Sequence, residues 1–276
     1  TSIACAFRKP IIVAPAMNCN MWENSVIKEN LEKLSTIGCK ILEPENGFLA
    51  CGYEGKGRLC SLDKIFKETS AILLNYQKNK KKYLITAGGT IEDIDPVRYI
   101  SNYSSGKMGI ALADEAYFQG NDAVLITTVD VKRPYKIVKV KSAQDMKFAV
   151  EKEFDNADFV IMAAAVADYR VKNKAEQKLK KTNDDELTLT LVKNPDILKE
   201  LCNKKTHQII AGFCAESENL LENAAKKIKE KGCDYLIAND ISRQDIGFSS
   251  EYNEVTILKR NGNRKTLERA PKSEIA

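Results

Sequence analysis

The sequence predicts an α/β protein built on a mostly parallel sheet with helices on both faces. Apolar runs of strand length, such as FVIMAAAVA at 159–167, alternate with segments whose apolar residues recur at helical spacing, such as 24–38. Strands that are joined through helices run parallel and carry the helices on the two faces of their sheet. The loops that follow the strands therefore meet at one edge, where such sheets bind ligands.

Each predicted element rests on its own local pattern. Helical segments begin at residues suited to a helix start, such as Asn24 and Pro195, and some end at a glycine, such as Gly38. The helices are predicted at 24–38, 61–76, 104–120, 142–154, 194–203 and 219–232. The strands are predicted within 10–18, 39–44, 83–90, 122–129, 157–169, 186–193, 207–216, 233–240 and 253–260. A glycine-rich loop is predicted at 45–59.

The run QKNKKK at 77–82 contains only cationic and polar residues and separates two α/β halves. Such a run is typical of a linker. Contact with nucleic acid is the alternative, but neither interleaved aromatic residues nor a second basic block supports it. We predict domains at 1–73 and 82–276 with a linker at 74–81. At about 75 residues, the first half is too short for a whole doubly wound domain.

The composition indicates a soluble protein with reduced thiols. Of the 276 residues, 43% are apolar and 29% are charged, as in ordinary globular domains. No apolar run approaches the ~20 residues of a membrane span, and the sequence shows no secretory signal. The 8 cysteines include no CxxC pair, so zinc-ligand spacing is absent, and the cytoplasm is the expected location.

The histidine content and the net charge restrict the chemistry further. The one histidine, His207, excludes a zinc site built on several imidazoles, and any general-base histidine would have to be this residue. The net charge of +5 suits phosphorylated small substrates, although a solvated lysine-rich surface explains the same charge.

The segment LITAGGTIEDIDPVRYISNYSSGKMG at 84–109 combines a strand, a Gly-Gly turn and a later helix start. Backbone N–H groups and the helix dipole favour a phosphate there, although a plain surface turn has the same pattern. The segment lacks GxGxxG. It is also not a P-loop, because Ser101 and Met108 stand where a P-loop has its first glycine and its magnesium-binding hydroxyl.

A second segment with candidate binding groups follows the strand that ends near residue 162. The small residues at 163–167 allow a flat ring or a phosphate to approach the backbone closely. Asp168 suits a metal ion or a base edge. Lys178, Lys180 and Lys181 suit phosphates, unless their loop is simply solvated.

Two more segments have both a functional and a structural interpretation. At 192–198 a helix start with Asp196 offers exposed N–H donors, or else ordinary capping. Cys51 lies beside Lys56 and Arg58 in the glycine-rich loop, where a thiol is either exposed and acidified or buried and structural.

Together these motifs resemble one family over nearly the whole chain. The matching segments are PAMNCNM, ACGYEGKGR, GGTIEDIDPVRYISNYSSGKMG, AAAVADYR, KLKK, VKNPDIL, GFCAE and AND. The family is the bifunctional phosphopantothenoylcysteine decarboxylase/phosphopantothenate–cysteine ligase of coenzyme A biosynthesis. The resemblance implies a Rossmann-like ligase domain that is preceded by the C-terminal part of a flavodoxin-like decarboxylase domain.

For the ligase, the resemblance implies that CTP activates the carboxylate of 4′-phosphopantothenate as an acyl-cytidylate, which the amine of cysteine then attacks. Lys178 matches the clamp on the triphosphate, assisted by Mg²⁺ whose ligands stay unassigned. Asn102 matches the asparagine that stabilises the oxyanion, and Arg98 matches an arginine near the acyl intermediate. The residues expected around the nucleotide are Met162, Ala163, Ala164, Asp168, Lys178, Pro195, Asp196, Ile197, Leu198, Phe213, Lys227 and Lys231.

For the decarboxylase, the resemblance implies oxidation of the cysteinyl thiol with FMN, loss of the carboxylate and protonation by a loop cysteine. Cys51 matches that proton donor, and Asn18 and Met21 match the substrate-binding motif. The family's catalytic histidine and most of its FMN-binding residues match nothing here, and His207 lies in the ligase half. We therefore expect this chain to ligate without decarboxylating.

The resemblance also implies a homodimer through the ligase domain and a larger assembly with a complete decarboxylase domain; neither nucleic acid nor a membrane is an expected partner. Two alternatives stay open. An NAD(P)-binding oxidoreductase would place Asp130 on a ribose hydroxyl, but the missing GxGxxG and the lysine cluster count against it. A non-catalytic interaction protein of the same family is opposed by intact Asn102 and Lys178.

Overall fold

The computed structural model describes most of the chain and divides it into two compact units. The described residues are 6–7, 9–50, 52–74, 79–180, 187–216, 218–242, 245 and 250–276. Unit one comprises Thr1–Lys78 and Phe118–Gly120, and unit two comprises Asn79–Tyr117 and Asn121–Ala276. Among the described residues, no helix has the length and apolarity that a membrane crossing requires.

Unit one contains short strands and three helices among its described residues. Its elements are β1 (Ile12–Val13), α1 (Cys19–Glu23), α2 (Ser25–Thr36), β2 (Lys40–Ile41), β3 (Glu45–Phe48), β4 (Glu54–Arg58) and α3 (Leu62–Leu74). Strands β1 and β2 pair in parallel, as expected of strands joined through a helix. Asn24 caps α2, because its side chain accepts a hydrogen bond from the N–H of Val26 at 2.9 Å.

The glycine-rich segment at 45–59 differs from its prediction as a loop, because much of it forms an antiparallel hairpin. Strand β3 pairs with β4, and Gly47 stands opposite Gly55. At Gly57 an added Cβ would lie 2.1 Å from the carbonyl oxygen of Met17, whose N–H donates to the Gly57 carbonyl at 2.9 Å. Here the glycine therefore marks a close approach of two backbones within a strand.

Unit two carries the main sheet and the helices that cover it. Its strands are β5 (Lys82–Ala87), β6 (Ile91–Asp93), β7 (Tyr99–Ser101), β8 (Asp122–Thr127), β9 (Lys136–Lys139), β10 (Phe159–Met162), β11 (Tyr169–Val171), β12 (Leu191–Lys193), β13 (Ile209–Glu216), β14 (Tyr235–Asp240), β15 (Tyr252–Lys259) and β16 (Arg264–Pro271). Its helices are α4 (Lys107–Phe118), α5 (Ala143–Phe154), α6 (Ile197–Lys204), α7 (Leu220–Lys231) and α8 (Lys272–Ile275).

Eight strands form the main sheet in the order β9-β8-β5-β10-β13-β14-β15-β16. The pairs from β9 to β14 are parallel, and β15 and β16 add an antiparallel edge. The six parallel strands therefore run 3-2-1-4-5-6 in chain order, with the switch point between β5 and β10. The predicted mostly parallel α/β sheet is confirmed.

Apolar side chains cover both faces of this sheet. On β5, Leu84 belongs to a large buried cluster with Met146 of α5, whereas its neighbour Ile85 belongs to a second cluster with Ala113 of α4. Successive residues of a strand point to opposite faces, so the two clusters are the two sides of one sheet.

Helix α4 lies directly on β5. An added Cβ at Gly109 would lie 2.5 Å from the Thr86 carbonyl oxygen and 2.7 Å from the Ala87 Cβ. A larger residue would push the helix away from the strand. The glycine therefore fixes the start of α4 beside the carboxyl end of β5, at the switch point.

Candidate active site

A cleft of about 600 Å³ opens at the carboxyl edge of the parallel strands, as the topology predicts. The loops that follow β7, β10 and β14 contribute to its walls, together with the carboxyl-terminal part of β13 and the first turn of α4. The lining of this first cleft includes Asn102, Lys107, Ala163, Ala164, Phe213, Lys227, Asn239 and Lys272.

The loops of the first cleft are fixed by contacts between their backbones. Gly89 forms a parallel bridge with Ala165, and the N–H of Thr90 donates to the Ala165 carbonyl at 3.2 Å. An added Cβ at Gly89 would lie 2.5 Å from the carbonyl oxygen of Asn102. The Gly-Gly turn is therefore required because three chain segments meet there.

Positive charge collects at this cleft. Lys107 begins α4 and pairs with Glu251. Lys272 is 7% exposed, and its Nζ donates to the carbonyl oxygen of Ser250 at 2.6 Å. Burial and the neighbouring charge of Lys107 lower the pKa of Lys272. Since the N-terminus of a helix adds partial positive charge, this part of the cleft favours an anion.

A second cleft of about 530 Å³ shares Ala164, Val166, Phe213 and Lys227 with the first and therefore adjoins it. Most of the residues predicted around a nucleotide line this second cleft. They are Met162, Ala164, Asp168, Pro195, Asp196, Ile197, Leu198, Phe213, Lys227 and Lys231. Ala163 lines the first cleft instead. The tertiary structure thus brings together residues that are far apart in the sequence.

Carboxylates balance the two lysines of the second cleft. Asp196 caps α6 through its Oδ1, which accepts from the N–H of Lys199 at 3.2 Å, and its Oδ2 pairs with Lys231 Nζ at 2.5 Å. Lys227 Nζ pairs with Glu216 Oε1 at 2.6 Å. Burial opposes the charge of Lys227, but the hydrogen bond and charge of Glu216 outweigh it and raise the pKa of Lys227.

Asn102 lies on the border of the first cleft with its amide exposed. Its Nδ2 donates to the carbonyl oxygen of Val166 at 3.1 Å. A side-chain amide nitrogen carries two N–H groups, so one of them is available to a bound substrate. The contact with Val166 holds that donor beside the loop that follows β10.

Arg98 and Lys178 belong to a separate cluster that neither cleft includes among its lining residues. Arg98 donates from Nε and Nη2 to Oδ2 of Asp95, at 3.0 and 2.6 Å. Its Nη2 also donates to the carbonyl oxygen of Leu179 at 3.0 Å. Lys178 is exposed and has no ion-pair partner within the described part of the chain. Lys178 directly precedes Leu179, whose carbonyl Arg98 contacts, and it lines neither of the two clefts.

Comparisons with known proteins assign the family. The family model described as DNA/pantothenate metabolism flavoprotein C-terminal domain matches 78–276, and the model described as Flavoprotein matches 1–74. The coenzyme A biosynthesis bifunctional protein CoaBC of Borreliella burgdorferi is 42% identical, with 100% of this chain and 71% of that protein covered. This chain belongs to the CoaBC family. CoaBC of Bacillus subtilis is 40% identical, with 100% of this chain and 70% of that protein covered.

Solved structures agree with this family. The crystal structure of the C-terminal domain of a CoaBC protein is 38% identical and has a TM-score of 0.59, covering 71% of this chain and 89% of that chain. The DNA/pantothenate metabolism flavoprotein from Streptococcus pneumoniae is 24% identical with a TM-score of 0.60, covering 71% of this chain and 95% of that chain, and shares the fold. The predicted resemblance and the Rossmann-like fold are confirmed, and the oxidoreductase alternative is not favoured.

Of the three decarboxylase residues predicted in unit one, the structure describes Asn18 and Met21. Asn18 caps α1, because its Oδ1 accepts from the N–H of Asn20 at 2.8 Å, and Met21 is 52% exposed on that helix. Cys51 lies outside the described residues. FMN is the group that the flavoprotein family implies, and we derive no step through it.

The Mg²⁺ that the family implies has to be matched to the donors of the second cleft. Among the residues that the structure describes, no three histidine, cysteine, aspartate or glutamate side chains form a group that could hold a metal ion. Magnesium usually binds a nucleotide through its phosphates with one or two carboxylates. Asp168 is exposed in the second cleft and fits that arrangement. When bound there, the ion would neutralise charge on the triphosphate.

Sequence reasoning missed three residues of the first cleft, namely Lys107, Asn239 and Lys272. Lys272 and Asn239 both line it, and the Oδ1 of Asn239 is buried without a hydrogen-bond partner among the described residues. The AND motif contains Asn239 and was a usable signal, since it ends the strand predicted at 233–240. Nothing in the local pattern around Lys272 marks it.

Proposed function

We propose that residues 82–276 catalyse the CTP-dependent ligation of cysteine to 4′-phosphopantothenate, within coenzyme A biosynthesis. The carboxylate of the substrate attacks the α-phosphorus of CTP and releases pyrophosphate, which gives an acyl-cytidylate. The amine of cysteine then attacks the acyl carbon and releases CMP, which leaves an amide. The observation that carries this proposal is the convergence of the predicted nucleotide residues on one cleft in a CoaBC-family fold.

The two adjoining clefts support a division of the substrates. The second cleft offers Met162, Ala164, the aromatic ring of Phe213 and two lysines for the cytidine nucleotide. The first cleft offers Lys107, Lys272 and the N-terminus of α4, which suit a phosphorylated acid. Because Ala164 borders both clefts, the reacting carboxylate and the α-phosphate are expected to meet beside it.

Three residues would serve the two half-reactions. Lys178 would clamp the triphosphate as charge moves onto the departing pyrophosphate, and Arg98 would lie near the acyl intermediate. Asn102 would donate its remaining N–H to the oxyanion that forms when the amine attacks. The exposed Asn102 amide at the rim of the first cleft supports this role.

For the first part of the chain, we propose that 1–73 is a segment of an FMN-dependent phosphopantothenoylcysteine decarboxylase domain and that 74–81 is a linker. Asn18 and Met21 would bind its substrate, and Cys51 would donate the proton. The match of 1–74 to the Flavoprotein family model supports this assignment. Assembly as a homodimer through the ligase domain and a cytoplasmic location are proposed from the family alone.

The test is a step-resolved assay of the purified chain with CTP, Mg²⁺, 4′-phosphopantothenate and cysteine. We expect pyrophosphate release without cysteine, and CMP and amide only when cysteine is added. Asn102→Asp keeps the size of the side chain but removes the N–H donor, so it should retain pyrophosphate release and lose amide formation by about 10²–10³-fold. A folded wild-type chain without turnover would refute the ligase, and normal amide yield from Asn102→Asp would remove Asn102 from the mechanism.

A further inference from the structure

Asp95 is a buried carboxylate in the loop between β6 and β7, and its side chain is 0% exposed. Its Oδ1 accepts from the N–H groups of Val97 and Arg98, both at 2.8 Å. Its Oδ2 accepts from the Arg98 guanidinium and from the N–H of Leu179 at 3.1 Å. Each oxygen therefore has a separate task, since Oδ1 holds the local turn and Oδ2 holds two groups of the Lys178 region.

The charge of Asp95 is permanent under ordinary conditions. The hydrogen bonds from Arg98 and from the backbone N–H groups hold the pKa of Asp95 well below its usual range, against the effect of burial. A buried charge with this many donors is fully compensated only while all of its partners stay in place. Loss of the charge would leave the Arg98 guanidinium without its carboxylate.

Asp95 and Arg98 together form hydrogen bonds to both backbone groups of Leu179. Asp95 accepts from the N–H of Leu179, and Arg98 donates to its carbonyl oxygen. A further backbone bond joins the N–H of Ala175 to the carbonyl of Ile94 at 2.9 Å. The segment that carries Lys178 is thereby fixed one residue after the lysine and three residues before it.

We propose that Asp95 is a positioning residue of the ligase, which orients Arg98 and holds the segment of Lys178 in place for activation of the carboxylate. This inference rests on the proposed function. Asp95 acts through Lys178, whose segment it holds together with Arg98. The alternative is that Asp95 only shapes the turn between β6 and β7, through Oδ1.

Asp95→Asn separates these two roles. The asparagine Oδ1 still accepts from the N–H groups of Val97 and Arg98, so the turn survives. Its NH₂ group replaces Oδ2 and faces the donors of Arg98 and Leu179. The hydrogen bonds from these two residues to position 95 are therefore lost. We expect the kcat of pyrophosphate release without cysteine to fall about 10–100-fold, because small misplacement of a reacting group costs up to that much.

Coupling to Lys178 is the decisive readout. If Asp95 acts through Lys178, Asp95→Asn should change kcat by less than about threefold when Lys178→Gln is already present. Equal losses in the two backgrounds would overturn the proposal in favour of a role in the fold alone. Asp130→Asn is the matched control, because Asp130 also pairs with a lysine but is 98% exposed, and it should change nothing.

Amide hydrogen exchange tests the hydrogen bond from the Leu179 N–H to Asp95 without relying on activity. Asp95→Asn should raise the exchange rate of the Leu179 N–H, and unchanged protection would overturn the proposal. If Asp95→Asn fails to fold, Leu179→Pro removes the same donor on an exposed segment and should lower kcat in the same direction. A wild-type chain without turnover would refute the ligase and the positioning role together. Exchange at Leu179 would still show whether Asp95 holds the Leu179 N–H.

Discussion

The cleft walls and the segment of Lys178 are held in place by different forces, although both belong to unit two. Close backbone packing fixes the walls, as Gly109 of α4 against β5 and Gly89 beside Asn102 show. Polar side chains fix the Lys178 segment, chiefly Asp95 and Arg98, with Lys174 paired to Asp93 at 2.7 Å. The walls depend on shape, whereas the segment depends on a few charges. Substitutions in the two regions should therefore fail in different ways.

Removing the charge of the segment should have the largest effect on turnover. Lys178→Gln deletes the proposed clamp on the triphosphate, so kcat for pyrophosphate release should fall about 10²–10³-fold. The midpoint of thermal unfolding should stay unchanged, because the side chain is exposed and has no ion-pair partner among the described residues. Lys172→Gln is the control, because Lys172 is also exposed and has no assigned role, and it should leave turnover unchanged. Unchanged turnover in Lys178→Gln would refute the clamp.

A larger side chain where α4 packs against β5 should instead lower the stability of the protein. Alanine in place of glycine normally stabilises a helix interior by roughly 0.5–1 kcal/mol. Gly109→Ala should reverse that sign, because its Cβ would lie 2.5 Å from the Thr86 carbonyl oxygen. We expect the free energy of unfolding to fall by about 1–3 kcal/mol, as overpacked cores do. Urea unfolding measures it, and a gain in stability would show that α4 does not rest on β5 as described.

Lowering the pH should remove the difference in stability between wild type and Asp95→Asn. The pKa of Asp95 is lowered in the folded protein, so its charge stabilises the fold above its unfolded pKa of about 4 and loses that effect as the pH falls below it. The gap in unfolding midpoint should therefore be constant from pH 8 to 5 and close progressively below about pH 4. A gap that does not depend on pH would show that the charge of Asp95 is not what stabilises the segment.

His207 should show the smallest effect. It is exposed just before β13 begins, whereas the clefts lie at the carboxyl end of that strand. His207→Gln should change turnover by no more than about twofold. It should change the free energy of unfolding by no more than about 0.5 kcal/mol, as surface substitutions do. A tenfold loss of turnover would bring the one histidine of the chain into the mechanism and would contradict the placement of the site.

The sequence could predict six strands of the main sheet and most of the nucleotide cleft, but not the two edge strands of that sheet. Strands β9 and β16 were missed, and the predicted strand at 186–193 is reduced to β12, which pairs with β11 outside the main sheet. In β16, exposed polar residues give no apolar alternation, and pairing with β15 alone makes the segment a strand. Phe213 was chosen by family resemblance, because its pattern does not differ from that of a core phenylalanine.

The sequence by itself determined the alternation of strands and helices, and with it the edge where the loops meet, because local apolar spacing records which face of each element is buried. It also placed Lys227 and Lys231 on one face of one helix, since four residues make about one turn. The tertiary structure alone decided that Lys272 is buried near Lys107 and that Asp95 holds the N–H of Leu179. Such contacts join distant parts of the chain, and no local pattern encodes them.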